Sequence, residues 1–117
     1  MPHVVLNGEV VLEDVFKEID PLFIQQENNI LKTMEVYLER GKNAILVDSL
    51  SFENSKKTVF LVMITSREDG IVVRLYPKIG VDKTEGVKRI LGELAKQLLA
   101  KFPELRVGET NLGDYLR

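Results

Sequence analysis

Thr58-Val59-Phe60-Leu61-Val62-Met63-Ile64-Thr65 contains the longest apolar run of the chain, the six residues from Val59 to Ile64. Six residues are far short of the ~20 that span a bilayer as a helix, and of the apolar core of a signal peptide. The run does not alternate between apolar and polar residues. A strand of that kind is apolar on both faces and needs cover on both sides. Ala44–Phe52 and Ile71–Tyr76 flank it as two further strand-like runs. The connectors Glu53–Lys57 and Ser66–Gly70 are short and polar, which reads as a three-stranded antiparallel meander. Ile71-Val72-Val73 begins with the same two-faced character.

Outward from the meander, the C-terminal side predicts a long helix. Asp82-Lys83-Thr84-Glu85 has capping-box spacing, with Asp82 in the cap position. Val87, Ile90, Leu91, Leu94, Leu98 and Phe102 then make an apolar stripe that stops at Pro103. Leu105–Val107 can add a short edge strand. On the N-terminal side, Asn7-Gly8 between His3–Leu6 and Glu9–Val11 is a strong hairpin signal, because both residues tolerate positive φ. Leu12, Val15, Phe16 and Ile19 follow at helical spacing up to Asp20-Pro21. Asp20 and Pro21 suit the start of a second helix, with Phe23, Ile30, Met34, Tyr37 and Leu38 on one stripe and Gly41 as its stop. A start at Asn28 or Asn29 is the alternative, with Leu22-Phe23-Ile24 extended.

The expected fold class is α+β: an antiparallel β-sheet, made of the N-terminal hairpin and the three-stranded meander, with about three helices packed mainly on one face. No repeat, linker or low-complexity tract divides residues 1–117, so the chain is read as a single domain. The order of strands in the sheet stays open.

Composition narrows the chemistry. The 117 residues are 44% apolar and 29% charged, an ordinary globular balance. With no cysteine, disulfides, thiolate zinc sites and cysteine nucleophiles are excluded together. A short chain without disulfides and without a visible targeting signal is expected to be soluble and cytoplasmic, with no membrane association. Basic and acidic residues number 16 and 18, a net charge of −2. Residues 1–54 hold four basic and ten acidic residues and residues 55–117 hold twelve and eight, so the halves carry −6 and +4. Packing of the two halves against each other accounts for that asymmetry as well as a basic binding face does.

Four candidate sites emerge. His3 is the single histidine, so Ser–His or Cys–His catalysis and histidine-based metal binding would all have to run through it; a solvent-facing residue at a strand start is the simpler reading. Asp48 and Glu27 fall on core-directed faces and could form an acid–base pair if burial raised their pKa values. As plain structure, Asp48 sits at an edge and Glu27 in a helix's first turn. Lys78-Ile79-Gly80-Val81-Asp82-Lys83 joins a strand to a helix N-terminus, where free N–H groups can hold an anion, though it matches no phosphate-loop pattern. Finally, residues 74–101 hold seven basic and three acidic residues, and Arg74, Tyr76 and Lys78 share one strand face that resembles a small single-strand nucleic-acid platform. Arg89 and Lys96 pair with Glu85 and Glu93 at i,i+3 and i,i+4 spacings, as on a solvated surface.

Three helices shield one sheet face well and the other only partly, and an apolar face left free commonly builds a symmetric dimer. The expected function is therefore a non-catalytic protein-interaction domain, homodimeric through an apolar sheet face or edge, with no metal and no cofactor. The alternative is a small nucleic-acid or anion binder that uses Arg74, Tyr76, Lys78 and Lys83, with weak affinity because a chain of net −2 has few spare cations.

Overall fold

Residues 23–38, expected to be helical, form a β-hairpin, and the whole sheet follows from that correction. In this computed structural model, which describes residues 1–117, the strands are β1 (His3–Asn7), β2 (Phe23–Gln26), β3 (Asn29–Leu38), β4 (Ala44–Glu53), β5 (Lys56–Arg67), β6 (Gly70–Leu75) and β7 (Arg106–Thr110). Two α-helices, α1 (Leu12–Glu18) and α2 (Glu85–Lys101), and one 3-10 turn at Gly113–Leu116 accompany them. All seven strands join one curled antiparallel sheet in the order β2-β3-β4-β5-β6-β1-β7. The fold is α+β, but the hairpin-plus-meander under three helices is replaced by seven strands and two helices.

A bulge explains why the hairpin reads as a helix. Thr33 faces Ser49 and Val36 faces Val47, so two residues of β3, Met34 and Glu35, oppose the single residue Asp48. One extra residue reverses the alternation at that point. Leu31 and Thr33 before the bulge, and Val36 and Leu38 after it, all turn toward the core side, while Ile30, Met34 and Tyr37 turn away. Steps of four and three between Ile30, Met34 and Tyr37 imitate a helical stripe although the backbone is extended. Thr33 locks the pairing further: its backbone N–H donates to the Leu22 carbonyl (3.0 Å), and its Oγ1 accepts from the Leu22 N–H (2.8 Å).

The Asn7-Gly8 hairpin does not form either. β1 instead lies between β6 and β7, pairing Val4 with Val73 and Asn7 with both Gly70 and Arg106. Gly8 marks a close backbone approach: at φ 140° a Cβ there would run into the Glu104 carbonyl. The turn with two consecutive left-handed residues is Asn54-Ser55, at φ 51° and 65°, between Glu53 and Lys56. That is the two-residue connection whose twist matches its strands.

Both helices pack on one face of the sheet. Val15 of α1 and Val87, Ile90, Leu91, Leu94 and Leu98 of α2 are fully buried against Leu6, Val47, Val62, Ile64 and Val73. The cap of α2 is Thr84, not Asp82: Thr84 Oγ1 accepts from the Val87 N–H at 3.2 Å, while Asp82 is exposed and pairs with Lys56 at 3.1 Å. No helix is long and apolar enough to cross a membrane.

Candidate functional site: the helix-free sheet face

Cross-strand pairing fixes which side chains share the uncovered face. Asp48 stands opposite Leu61, Leu46 opposite Met63, Leu50 opposite Val59, and Met63 opposite Arg74. Ile30, Lys32 and Tyr37 join the same face through Phe52, Leu50 and Leu46, and Phe23 through Lys32. β5 therefore divides cleanly: Phe60, Val62 and Ile64 enter the helix-covered core, while Val59, Leu61 and Met63 point the other way. Phe23 is 65% exposed, Val59 58% and Tyr37 53%, values unusual for large apolar side chains. Val5 and Met63 are buried on this side without belonging to the core. The face is thus an apolar sheet surface that no helix covers.

Charge on it is sparse. Lys32 and Lys57 lie toward one end of the strands, and Arg67 at the other end of β5. Asp48 and Arg74 flank β5 near its middle, and neither takes part in an ion pair within the chain. The Arg74 Nε is buried and has no hydrogen-bond acceptor.

The other sequence candidates are dispersed. Arg74 and Tyr76 remain near one another at the end of β6, where the Tyr76 N–H donates to the Leu61 carbonyl at 2.9 Å. Lys78 and Lys83 lie beyond the strand in the exposed loop that leads to α2, so the strand face expected to carry Lys78 does not include it. Lys83 Nζ turns back to its own loop, donating to the Val81 carbonyl at 3.4 Å. Glu27 sits at the tip of the β2–β3 hairpin at φ 55°. Asp48 is four residues from Phe52, roughly 13 Å along the strand, and Glu27 lies beyond the Phe52–Ile30 pair. The two carboxylates do not share a cleft. His3 is half-buried, and its Nδ1 donates to the Met1 carbonyl at 2.9 Å.

Sequence reasoning missed the acidic group at the α2 N-terminus. Glu53, at the end of β4, accepts from the Gly86 N–H (2.8 Å), the Thr84 hydroxyl (2.7 Å) and the Ser51 hydroxyl. Partial desolvation pushes its carboxyl up, but these three donors outweigh it and hold the pKa below the ordinary range. An internal carboxylate thus occupies the place where an external anion would bind. A Glu three residues after the cap would have been visible in sequence; one supplied from 31 positions earlier is not.

The largest concavity is an open cleft of about 850 Å³ at the end of the sheet, between Asn7–Val11, Ser66–Gly70 and Phe102–Arg106. Its walls are mostly polar, and Arg67 and Asp69 there pair at 3.8 Å. No nucleophile–base pair converges in it. No group of three or more His, Asp or Glu side chains is placed to hold a metal ion anywhere in the chain. Compared with protein-family models, curated proteins and solved structures, the chain matches none.

Proposed function

We propose that the chain is a non-catalytic protein-interaction domain that associates with a second copy of itself through the helix-free sheet face. The observation that carries this is the apolar side of β3, β4 and β5, where Tyr37, Val59 and their neighbours face solvent without a helix over them. A large exposed apolar patch on a folded domain marks a contact surface. Apolar area of this kind stabilises an assembly by roughly 25 cal/mol per Å² before the costs of association.

Multi-angle light scattering across a micromolar dilution series tests the reading. The expected mass is twice 13.3 kDa at high concentration, and Val59→Glu shifts the equilibrium toward the single chain. A mass of 13.3 kDa at every concentration would refute it.

A further inference from the structure

Resting on the self-association just proposed, the geometry points to the arrangement of the two copies: they meet face to face about a two-fold axis along β5, with Asp48 of each copy paired to Arg74 of the other. On this face one acid and one base stand on either side of β5 near its middle, with Lys32, Lys57 and Arg67 toward the strand ends. Asp48 lies opposite Leu61 on one side of β5, and Arg74 lies opposite Met63 on the other. They stand about 10 Å apart across the sheet and are offset by two residues, roughly 7 Å, along it.

A two-fold axis that lies between the faces and runs along β5 carries the β4 side of one copy over the β6 side of the other. Each Asp48 then stands above the other copy's β6, and the remaining offset is within the span of an extended arginine side chain. An isologous contact of this kind forms twice, once on each side of the axis. Within one chain neither group has an ionic partner. A carboxylate from the facing copy gives the Arg74 guanidinium the charged partner it lacks. Leu61, between the two charges, supplies the apolar centre. The charges favour one alignment, because sliding the sheets by two residues closes one Asp48–Arg74 offset while doubling the other and so breaks the two equivalent contacts.

Charge reversal in the full chain tests this. Asp48→Arg and Arg74→Asp are made separately, and dimer dissociation is followed by sedimentation equilibrium. Each reversal alone creates two like-charge contacts and is expected to weaken the dimer by roughly a hundredfold, tenfold per contact. Mixed one to one, the two variants restore opposite charges at both contacts and recover near wild-type affinity as a mixed dimer. Should a reversal fail to fold by circular dichroism, Asp48→Asn, Arg74→Gln and their combination give the same coupling as a double-mutant cycle. Single reversals that leave the dissociation constant unchanged, a mixture that stays as weak as its components, or a cycle without coupling overturns the pairing and leaves self-association standing. A wild-type chain that never dimerises overturns both.

Discussion

Glu53 shows how one side chain joins two elements distant in sequence. It ends β4 and receives hydrogen bonds from the first turn of α2, so the strand and the helix are tied through a carboxylate. Glu53→Gln is expected to cost about 1.5–3 kcal/mol, the range for hydrogen bonds to a charged group. Because the folded state lowers its pKa, the stabilisation is complete above the ordinary value of 4.5 and fades as pH falls through the folded value. Urea melts of wild type and variant should therefore differ at neutral pH and converge in acid. Equal gaps at pH 7 and pH 3 would contradict that role.

Tyr115 behaves in the opposite sense. Its hydroxyl donates to Glu85 at 2.5 Å, and that bond, with burial and the Glu85 charge, pushes its pKa up to about 12. The associated stability is present below the ordinary value of 10 and is lost as pH rises through about 12. In an alkaline absorbance titration the Tyr115 phenol should ionise well above the ordinary value, and Glu85→Gln should bring it earlier. Neither link was legible in the sequence. Asp82 offered a local cap for α2, whereas the groups in place, Thr84 with Glu53 and Glu85 with Tyr115, meet only after folding.

Among the elements, α2 is the most legible and β3 the least. The stripe from Val87 to Leu98 keeps an uninterrupted helical period, and every member is fully buried. Leu94→Ala should cost roughly 2–5 kcal/mol, the transfer loss plus the cavity it leaves. Lys96 reaches Glu93 at 3.2 Å and the Arg117 carbonyl at 3.1 Å from a partly exposed position. Lys96→Ala should change stability by no more than about 0.5 kcal/mol. Denaturant melts that showed Lys96→Ala as damaging as Leu94→Ala would mean the helix is turned differently. β3 misled for the converse reason: its period is broken by the bulge at Met34-Glu35, and period is what separates strand from helix in a sequence. Gly92 adds a packing constraint of its own. A Cβ there would lie 2.6 Å from the Tyr115 Cβ, so Gly92→Ala should loosen the C-terminal turn from α2.

At the scale of the whole molecule, the two-faced character of Val59–Ile64 was legible and its consequence half so. One face, Phe60, Val62 and Ile64, found cover beneath α2; on the other, which no helix covers, Met63 is buried but Val59 stays 58% exposed. The position of β1 between β6 and β7 was not legible, because it rests on pairings some 70 and 100 residues apart, which no local pattern encodes. Self-association through the uncovered face is the claim on which the rest depends. The chain has no cysteine, so a single introduced thiol reports one position without background. Facing sheets lie about 10 Å apart, and a short bis-maleimide spans that gap. Val59→Cys, beside the proposed axis, should cross-link rapidly into a covalent dimer at micromolar concentration, and Ala100→Cys, exposed at the end of α2 on the other side, should not. Equal cross-linking of the two, or faster reaction of Ala100→Cys, would contradict self-association through this face.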